Sequence, residues 1–444
     1  MMKFHFEIDD TYLNSYEWGL DKEFIKGNLE LYVTDQLCLK ESQVNIVELA
    51  IQLAKWLDSV RQGRLQDFEY NSIDCDESIL KFVVRDEGIH LISPMQKIGL
   101  APLAIEEVKQ AVLSFLVALN EKLYELNYAH KLNEFLVNLV SDNRKAIMLL
   151  EQNEDEAALE LLKKLAKESP SVQSINNLAW FYLHEKEEMD EAERLLEQAL
   201  HFRPQSPFPY MMLGEIALHK GNYERAKHYL QVSLTYSFTE EATFNLAIAH
   251  FQLKEYAEAA EKFASCAGES GPTQLHEVVA LLFAGEKVKA KALLNNWNED
   301  AYDYTGAIEI ADVYVELECF AEAREQFEKE WDQYVCSPYI ISRFAYTLFV
   351  LGDTDACTSL ITQSISRIVE DIEDVRKEEV EENWTVEDKE ERIVELQQEK
   401  QILEGLYNRL ERGYVPTFEY DMYPMSGCQL FGCMQHRNAE YEGE

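Results

Sequence analysis

Seven alanines recur from the second quarter of the chain into the fourth, Ala158, Ala192, Ala226, Ala259, Ala290, Ala323 and Ala356, at spacings of 34, 34, 33, 31, 33 and 33 residues. Four residues after each stands a bulky apolar side chain: Leu162, Leu196, Leu230, Phe263, Leu294, Phe327 and Leu360. Positions four apart share one face of a helix, so each unit carries a small contact and a large filler on the same stripe. Upstream lie large–small pairs, Leu178-Ala179, Leu213-Gly214, Leu246-Ala247, Ile310-Ala311 and Phe344-Ala345, while Pro170 and Pro204 close two units. A period of this length means stacked helical hairpins, each burying its apolar face on its neighbours. The fifth unit reads as having a shortened first helix around Leu275–Phe283.

These residues resemble the tetratricopeptide repeat pattern, a Leu-Gly pair in the first helix followed by Ala, Phe or Leu, and Pro in and after the second. The resemblance covers about residues 140–363 and is densest in Tyr210-Leu213-Gly214-Ala217-Ala226-Leu230. It implies an all-α, right-handed solenoid whose first helices face inward. The usual inward positions then hold Asn176, Trp180, Leu183 and His184; Phe208, Met211, Glu215, Leu218 and His219; Glu241, Phe244, Ile248, Phe251 and Gln252; Ile308, Asp312 and Glu316; and Tyr339, Ser342, Tyr346 and Phe349. That set is aromatic and acidic and holds no Lys or Arg, so a clamp for a peptide's terminal carboxylate is not expected. An apolar or basic polypeptide segment suits it, and packing on the protein's own residues is the competing reading.

The stretch before the repeats, residues 1–130, reads as an α+β domain. Phe4, Phe6 and Ile8 alternate with polar residues, as do Leu29, Leu31 and Val33. Ile46, Leu49, Ala50, Leu53, Trp56 and Leu57 fall on one helical face, Ile79–Val84 and Ile89–Ile92 flank a turn at Asp86-Glu87-Gly88, and Pro102 opens a second helix reaching Leu126. This order faintly resembles small modules of bacterial immunity proteins, which implies an alternative role, neutralising a basic toxin. A third reading is a peptide-pheromone receptor of the TPR type, but such receptors begin with a helical bundle, whereas this chain begins with strands.

After seven hairpins over residues 139–363, residues 364–412 read as acidic capping helices. Thr385 and Asp388 form a capping box, and Glu378–Glu382 is a solvated acidic face. Residues 413–444, rich in Tyr, Pro, Gly and Met, read as a tail. Within it Cys428, Cys433 and His436 have the ligand types of zinc, which suits a structural zinc clip pinning the tail to the solenoid's end, with Asp421, Glu440 or a solenoid cysteine as fourth ligand; two reduced cysteines packing on the final helix, or a Cys428–Cys433 disulfide, are the competing readings. No other cofactor is expected.

Charge narrows the partners. The 444 residues carry 82 Asp plus Glu against 41 Lys plus Arg, a net −41, which disfavours nucleic acid and anionic membranes. No phosphate loop, dinucleotide fingerprint, HExxH or GxSxG sequence occurs, so the chain does not read as an enzyme. The amino terminus lacks a signal peptide and the eight cysteines make no disulfide framework, which points to the cytoplasm, a bacterial one by the resemblances. The expectation is a non-catalytic scaffold that binds a protein or peptide in its concave groove, with oligomeric state open.

Overall fold

A computed structural model describes residues 1–9, 25–71, 78–94, 101–126, 132–266, 271–297, 306–331, 337–380 and 384–441. Cys75, Cys336 and two acids of the 378–382 run, Glu381 and Glu382, lie outside these residues. Two compact units emerge, Met1–Pro209 with Cys428–Glu444, and Tyr210–Gly427.

The first unit opens with strands β1 (Met2–Ile8), β2 (Lys26–Val33) and β3 (Gln36–Asn45) in one antiparallel sheet of that order. Phe4 pairs with Leu31 and Phe6 with Leu29, so the two alternating apolar runs meet on one face. Gly27 is required where it stands, because a Cβ there would strike the Glu7 carbonyl. The turn from β2 to β3 puts Thr34 and Asp35 at positive φ, 47° and 65°, the geometry of a two-residue hairpin. A second sheet joins β4 (Phe68–Glu69), β5 (Lys81–Arg85) and β6 (Gly88–Ile92).

Helices α1 (Ile46–Arg61) and α2 (Ile105–Glu125) pack on these strands. Leu49, Leu53 and Leu57 of α1 and Val112, Leu116 and Leu119 of α2 are fully buried, the stripe expected of helices covering a sheet. Pro102 does not open α2. Leu103 stays extended and exchanges two 2.9 Å backbone hydrogen bonds with Ile89, which holds helix formation back to Ile105.

A short helix α3 (Asn133–Leu136) leads to paired helices: α4 (Asp142–Glu151) with α5 (Asp155–Glu168), and α6 (Val172–His184) with α7 (Met189–Leu200). Ser141 caps α4, and Ser171 with Ser174 forms a capping box on α6.

The second unit continues the pairing: α8 (Phe208–His219, whose first two residues fall in the first unit) with α9 (Tyr223–Tyr236), α10 (Glu240–Gln252) with α11 (Tyr256–Cys266), α12 (Gly271–Phe283) with α13 (Lys287–Asn295), α14 (Ala307–Glu316) with α15 (Phe320–Glu330), and α16 (Pro338–Val350) with α17 (Thr354–Lys377). Six of the seven ladder alanines, Ala158 to Ala323, are fully buried, and the seventh, Ala356, yields the buried place to Cys357. The fillers Leu162, Leu196, Leu230, Phe263 and Phe327 are also fully buried. The expected shortening of the fifth first helix does not occur: α12 has 13 residues, and its partner α13 is the short one at 9.

Past the hairpins, α18 (Val386–Leu403) starts at the Thr385–Asp388 capping box, as its sequence implies. Gly405 at φ 79° then breaks the helix, and α19 (Leu406–Glu411) follows. Among the described residues no helix is long and apolar enough to cross a membrane.

Candidate functional site: helical inner faces holding the carboxy-terminal segment

Residues 413–441 form no helix or strand, yet they are anchored to the first helices of the hairpins. In the second unit the segment from Gly413 to Gly427 is held mainly through its backbone. Asn245 on α10 donates from Nδ2 to the Met425 carbonyl at 2.9 Å, and its Oδ1 accepts the Met425 N–H at 2.7 Å. One side-chain amide thus satisfies both backbone polar groups of one residue, a pairing that reads backbone and ignores side chain.

Around it, Tyr339 accepts the Glu419 N–H at 3.0 Å and donates to Asp312. Arg343, fully buried, donates to the Pro416 carbonyl at 2.9 Å, lies 5.5 Å from the Phe418 ring centre, and is ion-paired to Asp312 and Glu316. The tail residues Phe418 and Tyr420 stack on each other. Tyr420 also meets the His276 ring on α12, whose Nδ1 lies 2.6 Å from the hydroxyl. Burial pushes the His276 ring down to about 4, so it is neutral and Nδ1 accepts. Ser426 donates to Glu215, a carboxyl that burial pushes up to about 7.

In the first unit the same device recurs. Asn177 on α6 donates to the Phe431 carbonyl at 2.9 Å and accepts the Phe431 N–H at 2.9 Å. Asn143, one repeat earlier on α4, donates to the same carbonyl at 2.8 Å and accepts from Asn177. Asn176 reaches the Gln429 carbonyl at 2.7 Å. The Phe431 ring lies between Phe208 and Tyr441, with centres 4.8 and 5.2 Å away. Met434 enters the core that α1, α2 and the sheets build. Tyr441 accepts the Gln205 N–H through its hydroxyl and donates its own N–H to Gln173.

Of the inward residues named from the repeat pattern, Asn176, Phe208, Glu215, Asp312 and Tyr339 lie against or beside this segment. Trp180 and His184 form a ring pair on α6, with Trp180 packed against the buried cluster of Ile147, Leu430 and Cys433. Met211 is buried and accepts from Thr239, and Ile248 is buried within α10. Phe244 packs on Phe263 and His276, Phe251 on Tyr256 and Phe283, Tyr346 on Phe320, and Phe349 on Tyr407 of α19. These four therefore join helix to helix.

The absence of basic residues from the inner face is corrected by Arg343, which follows the counted position Ser342. Asn143, Asn177, Asn245 and His276 also escape the count. Their signal is chemical: asparagines buried on otherwise apolar helices, two of them 34 residues apart, must have partners.

Cys428, Cys433 and His436 come together, with one donor atom from each within 4.8 Å of the others. They lie in the first unit, where the segment meets α2, α4 and α6, at the beginning of the hairpin series and not, as the expected clip had it, at its end.

The first 124-residue stretch, residues 2–125, matches the family model "Domain of unknown function (DUF7878)". Residues 171–203 and 211–272 match two tetratricopeptide repeat models. No curated protein matches the sequence. Among solved structures the chain is similar to a tetratricopeptide repeat protein from Parabacteroides merdae, with 15% identity over 51% of this chain and 91% of that one and a TM-score of 0.39. It is similar to PilF of Pseudomonas aeruginosa, with 18% identity over 52% and 89% and a TM-score of 0.30. The yeast protein Tom70 shares 17% identity over 69% of this chain and 61% of that one, with a TM-score of 0.32. The chain carries tetratricopeptide repeats behind an amino-terminal domain of unknown function.

Proposed function

We propose that the protein is a non-catalytic polypeptide-binding scaffold whose inward helices grip a segment without helix or strand by its backbone, and that its own residues 414–441 are the resident occupant. Tetratricopeptide repeats commonly serve as protein–protein interaction scaffolds. The observation that carries the reading is the repeated two-way amide pairing, Asn245 with Met425 and Asn177 with Phe431. Such a clasp accepts many sequences, and the aromatic contacts select among them. Charge favours a neutral, aromatic-bearing segment over a strongly basic one. Arg343 offsets Asp312 and Glu316, and Glu215 is close to half protonated near neutral pH.

A tethered occupant competes at an effective concentration on the order of millimolar, so an outside segment gains entry only when the resident one is weakened. Phe418→Ala with Tyr420→Ala removes two aromatic anchors and leaves the helices intact, at about 3 kcal/mol for each ring fully lost from its site. A labelled peptide spanning Tyr414–Gly427 should then bind the full-length double variant at least tenfold more tightly than it binds the unaltered chain, as read by fluorescence anisotropy. A variant that keeps its helical circular dichroism and binds the peptide no better than the unaltered chain would sink the proposal.

A further inference from the structure

The last fourteen described residues fold into a tight clip. The Cys433 N–H donates to the Leu430 carbonyl at 3.4 Å, Arg437 N–H to Met434 at 3.2 Å, Asn438 N–H to Cys433 at 2.9 Å, and Gly432 N–H to Ala439 at 3.1 Å. Gly432 has φ +88°, and a Cβ there would lie 2.9 Å from the Asn143 amide that holds Phe431. Only glycine fits both the turn and the close approach to α4.

This turn brings three donors to one point. Cys433 Sγ lies 3.4 Å from His436 Nδ1, and Cys428 Sγ completes a group within 4.8 Å. Ligands around tetrahedral zinc stand about 3.6–3.8 Å apart, from Zn–S near 2.3 Å and Zn–N near 2.0–2.1 Å. Closing the group on an ion therefore needs a shift of about 1 Å. Supporting groups are also in place. Asn438 Nδ2 lies 3.5 Å from Cys428 Sγ and donates to the Cys428 carbonyl at 2.9 Å. Amide hydrogens aimed at sulfur stabilise a metal-bound thiolate and fix its orientation. Glu440 does not complete the set, being turned to Ser141 at 2.7 Å and Arg144 at 3.8 Å. Cys428 is half-buried, Cys433 buried and His436 exposed, so one side of the group faces solvent and leaves the fourth position to water.

We propose that Cys428, Cys433 and His436 bind one zinc ion, which fixes the turn that residues 428–436 present to the first unit. Two thiolates and one imidazole form the soft, nitrogen-bearing set that selects zinc over calcium or magnesium. The site does not require the inner face to accept any outside polypeptide, so it stands or falls separately from the binding proposal.

The test uses the full chain expressed without a histidine tag, stripped by chelator, kept reduced and titrated with cobalt(II), then with zinc. One equivalent of cobalt with thiolate-to-metal charge transfer, displaced by zinc, is the expected result. His436→Ala is the informative variant because this side chain is exposed, and it should weaken zinc binding by more than the roughly 10–100-fold lost when only a supporting residue is changed. Cys433→Ser should cut the charge-transfer band at saturating cobalt by at least half, since it removes one of two thiolates. No bound metal, cobalt bound without thiolate bands, a Cys428–Cys433 disulfide in the freshly reduced protein, or unchanged affinity in His436→Ala would each overturn the proposal.

Discussion

Arg343 is a full charge with no exposed surface, held by Asp312, Glu316 and the Pro416 carbonyl. Desolvation pushes the Asp312 carboxyl up while the arginine beside it pulls it down. Removing the arginine alone strands a buried carboxylate, so Arg343→Met should cost about 3–5 kcal/mol in denaturant unfolding, and Arg343→Met with Asp312→Asn should recover more than half of that. Equal losses in both would show that the pair is not what matters. Glu215 supplies a pH test. Its folded-state value, pushed to about 7, exceeds the ordinary 4.5, so its stabilising effect is full below about 4.5 and is lost as pH rises through 7. His276, pushed down to about 4, acts oppositely, with stability lost as pH falls from 6.5 through 4. Comparing Glu215→Gln with the unaltered chain cancels the histidine: the variant should gain on the order of 3 kcal/mol at pH 8 relative to pH 4. A pH-independent difference would contradict the buried, uncompensated carboxyl. Neither residue's role was readable from the sequence. Arg343 follows a counted inward position, and Glu215, though placed on the inner face by the repeat pattern, has nothing in its sequence neighbourhood that marks it as buried away from a counter-charge.

The helical hairpins were the most legible elements, because burial repeats with the alanine ladder and each small residue has a geometric reason. At Gly214 a Cβ would lie 2.6 Å from Leu230 Cγ, where α8 crosses α9. Gly214→Ala should therefore destabilise by about 1–3 kcal/mol despite the roughly 1 kcal/mol that alanine gains as a helix former. Combined with Leu230→Ala the two changes should cost less than their sum, which thermal unfolding of the four chains measures. Strand β3, 10 residues long, has no clear signal in the sequence. Its sequence, QLCLKESQVN, alternates poorly, and its turn is Thr34-Asp35 without the glycine that usually marks a tight hairpin. The reversal is carried by two non-glycine residues at positive φ, a strain that tertiary pairing sustains and local preference does not announce. The Thr385–Asp388 box, by contrast, is a local signal and was readable at once.

At the scale of the molecule the carboxy-terminal segment is what sequence periodicity could not place. A chain held through its own N–H and C=O groups needs no repeating side chains, so residues 413–441 look like a tail whether or not they are bound. Their composition gave one hint, Phe431 and Tyr441 in a segment with no core of its own, and the two rings pack together at a tilt in the first unit, whereas Tyr423 stays exposed. The inward asparagines give the complementary hint from the helices. Amide hydrogen exchange of the full-length protein, followed at Met425 and Phe431, tests the central claim most directly, since each N–H is donated to a buried asparagine. Both amides should exchange at least a hundredfold more slowly than the same residues in a free peptide. Exchange at the free-peptide rate at either position would mean that the inward helices do not hold the segment, and the account would fall.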